Sequence, residues 1–144
     1  MNCSACGITF PEAKIKSLQH WDVYVHPNQT YLGRGLFVLK RHAALKELTK
    51  EERDELARAQ EVFLTLVNRD FKPETVEHHD HDIHAQHEVV PRYKSFRIIN
   101  GAEFTDEHFG KHADLAHEWN IEGSAKSFLI RMLVMRFRQS FLNV

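Results

Sequence analysis

His84-Ala85-Gln86-His87-Glu88-Val89-Val90-Pro91-Arg92-Tyr93 is the stretch on which the reading of the fold turns. The run from Ile83 has strand character and meets a proline, so a strand is predicted from Ile83 to Val90, ended by Pro91. On such a strand residues 84, 86 and 88 share one face, while 85, 87 and 89 share the other. The same stretch closes a local concentration of histidine: five of the chain's eleven histidines fall between His78 and His87. Within it, His78-His79-Asp80-His81-Asp82 has the residue types of a metal site, but adjacent side chains rarely all turn to one ion. A solvated, flexible loop is the reading there.

Working outward, Trp21-Asp22-Val23-Tyr24-Val25 alternates and stops at Pro27-Asn28, and Gly35-Leu36-Phe37-Val38-Leu39 follows Gly33. These are predicted to form an antiparallel pair. Thr49 with Glu52 three positions on is a capping-box signature, and Leu56, Ala59, Phe63, Leu66 and Val67 recur at helical spacing behind it. Phe96-Arg97-Ile98-Ile99 reads as a short strand closed by the turn dipeptide Asn100-Gly101. The stretch from Ala102 to Gly123 reads as loop with one helical turn. Ser124 caps a last helix to about Leu142. That helix carries Phe128, Met132, Met135 and Leu142, and is too apolar to be exposed all round, so it packs on the sheet or on another chain. The mixture is α+β: an antiparallel sheet, one long central helix and a C-terminal helix.

A chain of 144 residues fits a single domain, 1–144. The net charge of −1, with acids and bases interspersed, argues against a nucleic-acid polymer or an anionic membrane as partner. No run of eighteen apolar residues is present, and Met1-Asn2-Cys3-Ser4-Ala5-Cys6 has neither the basic nor the apolar region of a secretion signal, so a cytoplasmic protein is expected. In that compartment Cys3 and Cys6 stay reduced, and Cys-x-x-Cys reads as a metal clip or a redox pair; no βαβ context supports the redox reading. Two plain thiols on a frayed terminus remain the alternative.

Three stretches, in order, resemble the histidine-triad (HIT) superfamily of nucleotide-phosphate hydrolases and transferases. The first is Cys3-x-x-Cys6. The second runs from Pro27-Asn28-Gln29 through Tyr31-Leu32-Gly33-Arg34-Gly35-Leu36 to Leu39-Lys40-Arg41-His42 and Leu48-Thr49-x-x-Glu52. The third is Val89-Val90-Pro91-Arg92-Tyr93, with Phe104-Thr105-Asp106 and Phe109-Gly110-Lys111 after it. The resemblance implies a HIT-like fold. It also implies a strand carrying His-x-His-x-His ahead of two apolar residues and Pro-Arg.

At the three triad positions this chain has His84, Gln86 and Glu88. In the family the middle histidine attacks the α-phosphate of a nucleotide. An amide at 86 has its lone pair delocalised and offers no comparable nucleophile. Glu88 places negative charge where phosphate should sit, which repels unless the group is protonated or metal-bound. His87 is the candidate substitute, if a bulge turns it to the triad face. The resemblance further implies a structural Zn²⁺ on Cys3, Cys6, His42 and His84. It also implies a nucleoside phosphate or dinucleotide ligand held by the first hairpin, including His26 or Asn28, with the Gln86 amide donating to the phosphate. Many family members are homodimers.

Three functions follow: a zinc-stabilised nucleotide-phosphate-binding protein with family chemistry weak or lost; an active hydrolase of dinucleoside polyphosphates or nucleoside phosphoramidates through His87 or His84; and a non-enzymatic interaction or dimerisation module.

Overall fold

Thr49 starts the long helix as its sequence requires. Its hydroxyl accepts from the Glu52 N–H at 3.1 Å, and the Glu52 carboxylate accepts from the Thr49 N–H at 2.8 Å, so two orphan donors of the first turn are satisfied reciprocally. The computed structural model describes Cys3, Ala5, Cys6 and residues 10–144. Its strands are β1 (Lys14–Ser17), β2 (Trp21–Val25), β3 (Gly35–Leu39), β4 (Thr75–His81), β5 (Gln86–Arg92), β6 (Arg97–Ile99) and β7 (Ala102–Phe104); its helices are α1 (Lys50–Asp70) and α2 (Gly123–Ser140). β1 to β5 form one antiparallel sheet in the order β1-β2-β3-β5-β4, and β6 and β7 pair apart from it. The α+β class, the β2–β3 pair and the long central helix are as predicted.

The core lies between one face of the sheet and the two helices. Phe37 on β3 meets Phe63 on α1 edge-on at 5.5 Å, and Phe63 stacks on Phe137 of α2 at 4.2 Å, so three elements share one aromatic column. Gly35 is where α1 comes closest: a Cβ there would lie 2.2 Å from Phe63. Glu55 fixes the helix against the start of β2, accepting from the His20 and Trp21 N–H groups, while the Trp21 indole donates to the Glu52 carbonyl at 2.8 Å. Across the sheet, Tyr24, Leu36 and Val38 form a smaller apolar cluster with Ala5, against which Cys3 and Phe10 pack. This second cluster is what holds the N-terminal cysteines to the sheet.

Several predicted elements need correction. The histidine-rich run is no flexible loop: it is β4, paired over its whole length with β5. Edge strands of antiparallel sheets tolerate polar residues because one face stays wet, and charge on an edge deters further pairing. The strand expected at Ile83–Val90 runs instead from Gln86 to Arg92, and residues 82–85 form the turn of the β4–β5 hairpin, with His81 opposite Gln86. His84 therefore sits in a turn. Pro91 does not end the strand, because β3 pairs with β5 only as far as Val89; beyond it that side of β5 is free and a missing N–H costs no ladder bond.

β1 was unread, being four residues with a single buried apolar side chain, Ile15. α2 begins at Gly123 without a side-chain cap. It buries Leu129, Ile130, Leu133, Val134 and Phe137 and leaves Phe128, Met135 and Leu142 exposed, so the helix packs on this chain through a different stripe from the one predicted. Between Thr105 and Glu122 there is no regular element beyond isolated turns.

Candidate functional site

The exit of β3 and the β4–β5 turn are tied by backbone bonds: Ala85 N–H to Ala43 O at 2.7 Å, Leu39 N–H to Ala85 O at 3.0 Å and Leu45 N–H to Asp82 O at 3.3 Å. These bring His42 and His84 together, their Nδ1 atoms 3.3 Å apart. Cys6 Sγ lies 3.3 Å from each of those nitrogens, and Cys3 Sγ lies 3.5 Å from His84 Nδ1. All four donor atoms fall within 4.8 Å of one another. A tetrahedral zinc has edges of roughly 3.3 Å between nitrogens and roughly 3.6 Å between nitrogen and sulfur, from its usual bond lengths. The nitrogen–nitrogen separation of 3.3 Å and the nitrogen–sulfur separations of 3.3–3.5 Å are close to those dimensions.

His84 is oriented for the task, because its Nε2–H donates to the Leu39 carbonyl at 2.7 Å and leaves the Nδ1 lone pair facing the cysteines. The Cys6 backbone N–H holds the Cys3 thiol down to about 6, so this sulfur is readily a thiolate; the Cys3 sulfur pushes the Cys6 thiol up.

The other two triad positions lie further along β5 on the face opposite α1. Glu88 is buried, and its carboxylate pairs with the buried Arg34 guanidinium. His26 Nε2 stands 3.7 Å and His81 Nε2 3.6 Å from the same carboxylate. An internal ion pair with Arg34 compensates this charge. Arg34 Nη1 also donates to the Leu115 carbonyl at 3.2 Å. Gln86, half-buried, lies opposite Val38 on one side and His81 on the other.

No bulge turns His87 toward them. It pairs in regular register with Phe37, its ring 6.1 Å from that phenyl group, and faces the α1 side. There its Nδ1–H donates to Asp80 at 2.6 Å, and its Nε2 accepts from His78 Nδ1 at 3.0 Å. Burial lowers the pKa of His78, which favours the neutral donor that this chain of bonds needs.

In the first hairpin, burial and the nearby Arg34 lower His26 to about 4, so it is neutral at physiological pH; its Nδ1 accepts from the Asn28 N–H at 3.0 Å. Asn28 spans outward, donating to the His117 carbonyl at 2.7 Å and accepting from the Thr30 N–H at 2.9 Å. Both residues thus already have protein partners.

Arg34, Arg92 and Asp106 have roles at the site that their positions in the sequence do not announce. Arg92 is buried, forms a bidentate pair with Asp106 at 2.7 and 3.1 Å, meets Glu77, and donates to the Lys111 carbonyl at 2.7 Å. It anchors the 105–122 segment, which then crosses the hairpin through Leu115 and His117. Buried arginines close to acids are visible in sequence only as charges inside apolar runs, which Arg34 and Arg92 both are. Three cavities, of about 340, 380 and 600 Å³, lie elsewhere: beside Thr30, His108 and Trp119; beside Arg92 and Lys111; and between Leu18, Glu55 and Val144.

No family model matches the sequence, and no curated protein matches it either. Solved structures do. A hypothetical histidine triad nucleotide-binding protein of Sulfolobus tokodaii is similar at TM-score 0.64 and 14% identity, over 98% of this chain and 93% of that one. A Zn-bound histidine triad family protein of Mycobacterium smegmatis is similar at TM-score 0.51 and 14% identity, over 88% of this chain and 86% of that one. The diadenosine triphosphate hydrolase of Plasmodium falciparum, solved with cyclomarin A, is similar at TM-score 0.56 and 9% identity, over 93% of this chain and 79% of that one. At such identities the likeness speaks to fold alone: the chain, an antiparallel sheet with two helices, has the HIT-like fold.

Proposed function

We propose that this chain is a zinc-stabilised nucleotide-phosphate-binding protein that does not carry out nucleotidyl transfer through a covalent histidine intermediate. The observation that carries the reading is the buried Arg34–Glu88 pair beside Gln86: positions 86 and 88 hold an amide and a compensated carboxylate in place of imidazoles, and the neighbouring His26 and His81 rings face that carboxylate at 3.7 and 3.6 Å. His87 is clasped on the opposite face by Asp80 and His78, and the His84 Nδ1 lone pair is directed into the cysteine cluster.

Zinc suits the Cys3–Cys6–His42–His84 set by donor type, by edge lengths and by the closed count of four, and a Zn-bound protein of similar fold supports the assignment. When bound, the ion supplies cross-linking of the N-terminus to two loops and no open position for substrate. Nucleotide recognition rests on the names of two neighbours of the same fold and on Arg34, the buried cation next to the triad face. A phosphate oxygen would compete with Glu88 for the Arg34 guanidinium while the Gln86 amide donates to a second oxygen. A cytoplasmic homodimer remains part of the proposal.

The test is calorimetric or NMR titration of zinc-replete protein with adenosine and guanosine monophosphates, alongside a turnover assay with diadenosine polyphosphates and adenosine phosphoramidate. Saturable binding at micromolar to millimolar levels without turnover is expected; that range corresponds to about −8 to −4 kcal/mol. Absence of binding up to several millimolar would favour the interaction-module reading, for which the exposed Phe128 and Met135 of α2, with Leu142 just beyond it, are the supporting observation.

A further inference from the structure

Away from the cysteine cluster, the 105–122 segment gathers His108, Asp114 and His117 so that one donor atom of each lies within 4.8 Å of the others. We propose that these three residues form a second metal site, for a divalent transition cation of the zinc or cobalt class, with coordination positions left open.

The segment is fastened independently of any ion. Arg92 holds the Lys111 carbonyl, Asn28 and Thr30 hold the His117 carbonyl, and the Tyr31 hydroxyl accepts from the Asp114 N–H at 2.7 Å. Tyr31 is fully buried, and its oxygen also stands 3.3 Å from His108 Nδ1. A phenolic oxygen has two acceptor lone pairs, so with a cation on Nε2 of His108 it would take the Nδ1–H as well as the Asp114 N–H. That is the arrangement that orients imidazole ligands at known metal centres.

The rings of His108 and His117 stand 5.6 Å apart at 71°, edge to face, and Asp114 N–H···O turn geometry brings the carboxylate beside them: His117 N–H donates to the Asp114 carbonyl at 3.1 Å. Asp114 and His117 are exposed, so small rotations about their side-chain bonds close the remaining distance to the roughly 3.3 Å that neighbouring ligands of one ion need.

Two imidazoles and a carboxylate select transition cations over calcium or magnesium, and three protein ligands leave room for water or another oxygen donor. The 340 Å³ cavity adjoins this point, lined by His108 and His117 together with Glu103, Glu107 and Glu118. Its carboxylates raise cation affinity. The site differs from the cysteine cluster in two respects that an experiment reads: it has no sulfur, and its three ligands leave coordination positions open.

The experiment titrates Co²⁺ into protein already holding one zinc. A second equivalent should bind with visible d–d absorption and no sulfur-to-metal charge-transfer band, and it should broaden the His108 and His117 imidazole resonances. His117→Ala and Asp114→Asn should each weaken this equivalent tenfold or more while leaving the circular dichroism and the first zinc unchanged. Tyr31→Phe should weaken it by about 10–100-fold, as loss of a ligand-orienting hydrogen bond does. The double change His79→Ala with His81→Ala should leave it in place. Failure to bind a second equivalent below about 1 mM, at an affinity weaker than RT ln K of some 4 kcal/mol, would overturn the proposal. So would a second equivalent that survives His117→Ala, that shows thiolate charge transfer, or that disappears with His79 and His81.

Discussion

Replacing Glu88 by Gln separates two effects that the buried ion pair couples. Arg34 and Glu88 are 4% and 3% exposed, so neither charge is solvated when its partner is lost. Removing one member of such a pair costs about 3–5 kcal/mol, because the other charge is left buried. The amide oxygen at position 88 still accepts from the guanidinium, and Arg34 keeps its bond to Leu115, so the lower end, about 3 kcal/mol, is the figure to expect. For a chain of this length that is a fall in Tm of roughly 6–12 °C. The same substitution frees the guanidinium for an incoming oxyanion. A charge-assisted hydrogen bond contributes about 1.5–3 kcal/mol, so adenosine monophosphate should bind about 10–100-fold tighter. Ligand at a hundred times its dissociation constant then restores about 2.7 kcal/mol, most of what the mutation removed. Urea denaturation with and without nucleotide, paired with calorimetry, reads both arms. Unchanged stability would show that the pair is not buried in solution, and unchanged or weaker binding would show that phosphate does not approach Arg34.

Zinc-replete protein should contain close to one Zn per chain at the cysteine cluster by elemental analysis before any second-site loading, and lose stability sharply in strong chelator; Cys3→Ala, Cys6→Ala, His42→Ala and His84→Ala should each abolish that binding, whereas stoichiometry near zero with chelator-independent unfolding would remove the assignment. Restoring histidine at 86 and 88 together should raise hydrolysis of diadenosine polyphosphates above a background near zero, and His87→Ala should leave the wild-type background where it is; turnover that depends on His87 would show that catalysis runs from the α1 face. Glu52, held at about 2 chiefly by its hydrogen bonds from Arg41, has a folded pKa depressed from 4.5, so its contribution is complete above about pH 4.5 and is lost as pH falls toward 2. The stability difference between wild type and Glu52→Gln, roughly 2 kcal/mol at pH 7 after allowing for the half-exposed guanidinium, should shrink across that window, and a difference independent of pH would mean the pair contributes nothing.

What could be read from the sequence was whatever local chemistry decides. The Thr49 capping box and the α1 stripe rest on contacts between residues close in the chain, and the β2–β3 pair on two apolar runs bounded by turn residues; all appear where their patterns put them. The histidine run failed for the opposite reason. His78, His79 and His81 carry no strand pattern of their own, and pairing with Val89, Glu88 and Gln86 of β5 is what makes β4 extended. The cysteine cluster was legible because a Cys-x-x-Cys pair suits two further ligands and the resemblance to the HIT superfamily implied His42 and His84, which the structure brings beside Cys3 and Cys6. The Arg34–Glu88 pair was not, since Arg34 could be matched with its acid only once β3 and β5 were known to be neighbours.

The fate of the three triad positions follows from that hairpin. A turn at 82–85 takes His84 off the strand and swings it toward the exit of β3, where backbone bonds from Ala85 and Leu39 hold it beside His42. Gln86 and Glu88 remain on the strand and keep the alternation that puts them on one face, opposite Val38 and Leu36. Position 84 thus answers to the cysteines, whereas 86 and 88 answer to the first hairpin and Arg34. A histidine returned to 86 would face the Arg34 side with no imidazole at 84 free to assist it, because the His84 Nδ1 lone pair is already directed at Cys3 and Cys6. Any activity regained by restoring 86 and 88 therefore runs without His84, from those two imidazoles with Arg34, His26 and His81 around them, and should survive the removal of His84 only so far as the fold survives loss of its cluster.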